Sequence, residues 1–232
     1  MAKLLETYIK GDAKIVDLGC GIGLSLHVTA QIFPNIMGYE IERRTIESCK
    51  EILKEVGKGN TPLKLYDGKK LPFSDHSLDA VLSIEVVEHT NKPGLMLKEI
   101  KRVLKKDGVL IVTTPNKYWF LETHYRLPFL AFVPQKIADY YVRFSGKGEK
   151  YDIYPRSYAQ FYQMVNKYFE IKDVTFDTVL DYKKFNLDKE RGKGIKYVAW
   201  LIKWLRILKL NKVENILSYF SEGWVFVGKP KK

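Results

Sequence analysis

Cysteine is nearly absent from this 232-residue chain, Cys20 and Cys49 being its only two. That scarcity argues against a secreted scaffold stapled by disulfides, which needs several bridges in a short chain. Long hydrophobic runs are also missing. The most apolar stretch, 195–210, is interrupted by Lys203, Arg206 and Lys209, so no segment reaches the roughly 18 uninterrupted apolar residues of a membrane span. No charged-then-apolar leader with a small-residue cleavage site opens the sequence, and the chain reads as cytoplasmic. Internal repeats and low-complexity tracts are lacking, which excludes solenoids and arrays. Histidine occurs four times, at His27, His76, His89 and His124, so any imidazole chemistry has few candidates.

Hydrophobic residues make up 46% and charged residues 28%, as in ordinary globular chains, and the length suits one large core. We read residues 1–232 as a single domain. The 39 basic and 27 acidic side chains leave +12, and the excess is concentrated: residues 183–232 hold 13 basic and 4 acidic, a difference of +9. Such a segment suits an anionic membrane surface, a phosphorylated ligand or nucleic acid, and equally a plain solvated surface.

Short apolar runs alternate with amphipathic stretches, the mark of a parallel sheet covered by helices on both faces. Strands are predicted at Lys14–Leu18, Asn35–Glu40, Leu63–Tyr66, Leu78–Ile84, Gly108–Thr114, Glu170–Phe176 and Gly223–Gly228. Helices are predicted at Leu24–Phe33, Arg43–Val56, Gly94–Lys105 and Arg156–Tyr168, with Pro34, Gly57 to Pro62 and Lys106 to Gly108 as breakers. Residues 117–151 lose periodicity and turn aromatic, which suggests a cap insertion. Residues 181–220 form a second, basic and helical insertion before the last strand.

The loop after the first strand reads Asp17-Leu18-Gly19-Cys20-Gly21-Ile22-Gly23, and its alternate glycines let backbone amides approach a ligand at the open end of the sheet. Its third glycine falls one residue too early for the dinucleotide pattern G-x-G-x-x-G. An Asp two residues before the first glycine also favours a cationic, amine-bearing ligand over a diphosphate. Glu40 ends the second strand about 20 residues on, where a carboxylate can accept ribose hydroxyls. Asp67-Gly68 ends the third, a suitable place to meet an adenine amino group.

With these residues in register, 14–116 resembles the class I S-adenosylmethionine-dependent methyltransferases, in particular the small-molecule group related to ubiquinone-biosynthesis O-methyltransferases. The resemblance implies a Rossmann-like α/β fold, doubly wound, with a mostly parallel seven-stranded sheet and S-adenosylmethionine as cofactor. It further implies that Asp17, Gly19, Gly21 and Gly23 surround the methionine end, Glu40 the ribose, Asp67 and Gly68 the adenine, and that Ser83 and Ile84 line the same cleft.

Methyl transfer to a hydroxyl needs positioning and a base. After the fourth strand stands Glu85-Val86-Val87-Glu88-His89. If this turn is helical, its spacing gathers both carboxylates and the imidazole on one face, a donor set suited to a divalent cation such as magnesium. Similar Glu-x-x-Glu-His elements occur in ubiquinone-biosynthesis O-methyltransferases and in enzymes that methylate the 3′ ends of small RNAs. The metal candidates are thus Glu85, Glu88 and His89, and the candidate bases His89 and His124.

The leading functional expectation is O-methylation of a small or lipid-linked acceptor. An RNA ribose 2′-O-methyltransferase is the alternative, disfavoured because no recognisable RNA module accompanies the basic segment. A domain that holds the cofactor without catalysis is a third. In 195–210 a helical wheel sets Tyr197, Trp200, Leu201, Trp204, Leu205, Ile207 and Leu208 on one face, with Lys196, Lys203, Arg206 and Lys209 opposite. That face is expected either to pack on the domain or a second subunit of a homo-oligomer, or to lie peripherally on a membrane.

Overall fold

The computed structural model describes residues 1–232, the side chain of Glu190 excepted. In chain order the helices are α1 (Ala2–Leu5), α2 (Leu24–Ile32), α3 (Arg43–Glu55), α4 (Pro93–Val103), α5 (Gln135–Phe144), α6 (Tyr158–Asn166), α7 (Thr175–Leu180), α8 (Leu187–Glu190), α9 (Ile195–Ile207) and α10 (Asn211–Ser218). The strands are β1 (Ile15–Leu18), β2 (Ile36–Glu40), β3 (Leu63–Leu65), β4 (Leu78–Ile84), β5 (Leu104–Pro115), β6 (Phe169–Asp173) and β7 (Gly223–Pro230). They form one seven-stranded sheet in the order β3-β2-β1-β4-β5-β7-β6, parallel except for β7, which runs antiparallel to both neighbours.

The period-2 alternation of each strand divides the core between the two faces of the sheet. Val16, Val81, Leu110 and Val112 pack with Leu97, Ile100, Phe161 and Val165 of α4 and α6. Their chain neighbours Ile15, Ala80, Leu82, Val109 and Ile111 face the other way and bury Leu5, Leu26, Cys49 and Leu53 of α1, α2 and α3. Both cysteines are buried and free.

Several boundaries differ from the sequence reading. The helix expected over Gly94–Lys105 stops at Val103, because Leu104 already pairs with Leu78 as the first residue of β5. The strand expected to reach Phe176 ends at Asp173, whose Oδ1 accepts the Thr175 amide (2.9 Å) as α7 begins. The helix expected from Arg156 starts at Tyr158 under a capping box, in which Ser157 and Gln160 exchange side-chain and backbone hydrogen bonds. The cap contains α5 and has its own small core of Leu127, Leu130, Ala138, Val142, Tyr151 and Ile153.

The two insertions share one edge. The parallel strands β1 to β5 all end at the carboxyl edge, and the cap leaves there after Pro115. Pro115 pairs with Gly223, so β7 starts at that edge, while β6, antiparallel to β7, runs toward it. Residues 174–222 therefore depart from and return to the side where ligands of open α/β sheets bind.

Candidate functional site

Gly19, Gly21 and Gly23 all adopt positive φ (74°, 54° and 89°). Two are further fixed by packing: a Cβ at Gly19 would lie 2.6 Å from the Val86 side chain, and one at Gly23 2.6 Å from Cys49 Sγ. The loop is thus pressed between the β4 exit and α3. The amides of Gly19 and Cys20 bond to the Tyr39 carbonyl, and the Gly21 amide donates to Glu40 Oε2 (2.9 Å).

Asp17 is buried beneath this loop, and neither of its carboxylate oxygens has a partner. Burial, and then the nearby charge of Glu40, raise its pKa to about 7. Glu40 is 8% exposed; its Oε1 accepts the amides of Ile41 (2.7 Å) and Glu42 (3.3 Å). A carboxylate has about four lone-pair positions, so Glu40 retains acceptor capacity for a hydroxyl. Ser83 is buried with its Oγ unpartnered, and Ile84 beside it is half-buried. Asp67 sits at the surface, its Oδ1 accepting the amides of Lys69 and Lys70, which hold its carboxyl below the ordinary range; Gly68 follows at φ 76°.

On the acceptor side, the helical turn that would gather Glu85, Glu88 and His89 does not form over the whole of 85–89. Glu85 takes φ 54° and donates its amide to Thr113 Oγ1 (3.0 Å), and only Val87–His89 forms a turn, of 3-10 type. Among the described residues, the group able to converge on a cation is Glu88, His89 and His124, with ligand atoms within 4.8 Å of one another. Glu85 is outside it, and His124, 39 residues on, takes its place.

Glu88 is fully buried. Its Oε2 accepts from Thr114 Oγ1 (3.2 Å), while Oε1 has no hydrogen bond and faces His124 Nε2 at 3.8 Å. Burial pushes its carboxyl up to about 7. The His124 Nδ1 is hydrogen-bonded to Glu122 Oε1 (3.0 Å), and the other Glu122 oxygen accepts the amides of His124 and Tyr125. Burial works against the charged His124 ring, but the Glu122 bond and the charges of Glu122, Glu88 and Glu85 prevail and raise its pKa. His89 packs edge-on against it, ring centroids 4.8 Å apart, and is shifted down by burial and by the His124 charge. The two adjacent imidazoles are thereby shifted in opposite directions. Glu122 was missed at the sequence level, although its spacing of two from His124 was visible. Arg156, which clamps the turn by donating to the carbonyls of Val87 and Thr90, had no sequence signal.

His27 and His76 stand apart, each with Nδ1 against a backbone carbonyl. Most of the cap aromatics face outward, Tyr118, Phe120, Phe129 and Phe132 all being exposed. A cleft of about 490 Å³ opens between cap and α6, lined among others by Lys117, Val133, Gln135, Arg156 and Met164.

Residues 16–112 match the family described as "Methyltransferase domain". The ubiquinone biosynthesis O-methyltransferase of Pelagibacter ubique (strain HTCC1062) is 32% identical over 109 residues, 45% of this chain and 42% of that protein. The chain spans less than half the length of the first curated relatives it matches. Among solved structures, the PH0226 protein of Pyrococcus horikoshii OT3 superposes with a TM-score of 0.59 at 16% identity, covering 98% of this chain and 87% of that one. The phosphoethanolamine N-methyltransferase 2 of Haemonchus contortus, solved with S-adenosyl-L-methionine, gives 0.58 at 16% identity over 99% of this chain and 52% of its own.

Proposed function

We propose that this chain, a class I S-adenosylmethionine-dependent methyltransferase by family and fold, methylates a hydroxyl of a small or lipid-linked acceptor. The observation that carries the reading is the pairing of two halves at one sheet edge. A glycine loop lies over a buried, unpartnered Asp17, and Val86, on which Gly19 packs, leads two residues on into an acid–base cluster of Glu88, His89, Glu122 and His124. The residues fit the cofactor. Asp17 is an orphaned anion where a cationic amino-acid end would offset its desolvation, and Glu40, which accepts three amides, keeps about one acceptor position free. Asp67, Gly68, Ser83 and Ile84 would complete that cleft.

When bound, S-adenosylmethionine supplies an electrophilic methyl group on a sulfonium, which an acceptor oxygen can take by displacement. The protein's share is to hold the acceptor and manage its proton. His89, whose pKa is lowered by partial burial and by the charge of His124, is suited to accept that proton. His124, held by Glu122 and facing Glu88, is biased toward its protonated form beside it, which favours a developing oxyanion. A second reading, favoured by the unpartnered Glu88 Oε1, has a divalent cation such as magnesium held by Glu88, His89 and His124, lowering the pKa of the hydroxyl.

The outward-facing aromatic cap and α9, which exposes apolar and basic residues fit for peripheral contact with a membrane, support an apolar or lipid-linked acceptor. No helix among the described residues is long and apolar enough to cross one. RNA as acceptor gains no support from the site. The test is incubation of the purified protein with labelled methyl donor and fractionated cell extract. Label entering the lipid or small-molecule pool supports the reading, whereas label confined to RNA ends it.

A further inference from the structure

The sequence wheel placed Leu205 with the tryptophans of α9 and Arg206 with the lysines. The structure divides the helix differently. Ala199, Ile202 and Leu205 face inward onto the domain, and Arg206 joins them, paired with Asp177 (2.9 Å) and Glu214 (2.6 Å). With inward packing and two ion pairs fixing its rotation, α9 turns a second apolar face outward, made of Tyr197, Trp200, Leu201, Trp204, Ile207 and Leu208, all exposed. Trp200 is 61% exposed, with Trp204 edge-on beside it. At about 100° per residue this outward sector is nearly opposite the buried one.

The border of that face carries one sign of charge. Residues 192–213 contain Lys193, Lys196, Lys203, Arg206, Lys209 and Lys212 and no Asp or Glu. Of these, Arg206 alone has an ion-pair partner among the described residues. In α10, Ile216 is exposed, and Tyr219 and Phe220 just beyond it extend the apolar surface toward the site. Buried Asn116, at the root of the cap, donates Nδ2 to the carbonyls of Tyr219 (2.9 Å) and Ser221 (2.7 Å), and its own Oδ1 accepts the Tyr118 amide. Tyr118 leads on to Phe132 and Phe129 in an exposed aromatic cluster, ring centroids 5.7 and 5.6 Å apart. The two insertions are thus tied together at the carboxyl edge.

We propose that the outward face of α9, continued by α10 and the Tyr118–Phe132 cluster, docks on an anionic lipid bilayer and so presents the methyl-transfer site to an acceptor anchored in that bilayer. The first half rests on this surface alone; the second rests on the function proposed above. Charge complementarity selects the occupant. Tryptophan and tyrosine suit the interfacial layer, and lysines beside them can lay their stems along it while their ammonium groups meet anionic headgroups. A second copy of the chain is a poor alternative, because a twofold interface would bring this carboxylate-free basic segment against itself.

Full-length protein is sedimented with vesicles of phosphatidylcholine alone and of phosphatidylcholine mixed with phosphatidylglycerol. The expected result is retention on the mixed vesicles, little on the neutral ones, and release by salt. Trp200→Glu/Trp204→Glu and Lys196→Glu/Lys203→Glu are each expected to weaken retention by about tenfold or more, and Phe132→Glu by less. Because these side chains are exposed and away from the glycine loop, S-adenosylmethionine binding by calorimetry should be unchanged in all of them, which separates lost docking from lost folding. Equal retention on both vesicle types, full retention by the double Trp variant, or a dimer dissolved by Trp200→Glu without vesicle binding would each overturn the proposal. Vesicle binding by a protein that fails to bind S-adenosylmethionine would instead sink the function proposed above and leave the docking surface standing.

Discussion

Asp17→Asn should make the empty protein more stable and the ligand-binding site useless. The reasoning starts from a carboxylate with both oxygens buried and unpartnered, whose pKa in the fold is about 7 against an ordinary 3.8. A difference of about three pH units corresponds to about 4 kcal/mol between the folded protein's preference for the neutral acid and the unfolded chain's. The sign follows from the raised value. The native state binds the proton more tightly, so this stabilising contribution is complete below pH 3.8 and is lost as the pH rises through about 7. At pH 8 the wild type carries the whole penalty. Asn removes the charge but leaves its own amide poorly satisfied, at a cost of about 1–3 kcal/mol, so the net gain expected is about 1–3 kcal/mol. Thermal unfolding of both proteins between pH 5.5 and 8.5 checks this, with the gap widening toward high pH and calorimetry showing S-adenosylmethionine binding weakened at least tenfold in the variant. A variant less stable than the wild type across the range, or one with unchanged affinity, would refute the assignment of Asp17 as a strained anion awaiting a cationic ligand.

Glu40→Ala should cost about 1.5–3 kcal/mol of S-adenosylmethionine affinity, read by titration calorimetry, since the side chain offers a remaining acceptor position and also holds the Gly21 amide. Gly23→Ala should destabilise the fold by at least about 2 kcal/mol, because φ 89° is strained for alanine and its Cβ would meet Cys49 Sγ; in denaturant melts the double variant with Cys49→Ala should cost less than the two singles together. Once an acceptor is found, His89→Ala should lower kcat by about 10² to 10⁴. The acidic limb of the wild-type kcat/KM profile should lie below 6.5, the ordinary imidazole value, because burial and the His124 charge lower the pKa of His89. Activity that persists in chelator would end the divalent-cation reading, and activity abolished by chelator and restored by magnesium would end the simple base reading.

The sequence by itself determined the alternation of strands and helices and the glycine-rich turn between β1 and α2, because each depends on residues near in the chain. Period-2 and period-3.6 patterns state which side chains must leave water, and a glycine at positive φ announces a turn that other residues resist. Glu88 and His89 were legible for the same reason, as neighbours at the end of a recognisable strand. Tertiary structure alone decided that His124 and Glu122 close on Glu88, since the cap's fold, with its own core around Leu130 and Val142, brings them across a gap in sequence that no spacing rule spans. It removed Glu85 from the cluster by giving it a left-handed backbone, so that the helical turn on which its place in the cluster depended does not form there. It also chose between the two apolar faces of α9: a helical wheel records both, but only contacts with the domain and the ion pairs of Arg206 with Asp177 and Glu214 fix which face is buried and which is left to the solvent.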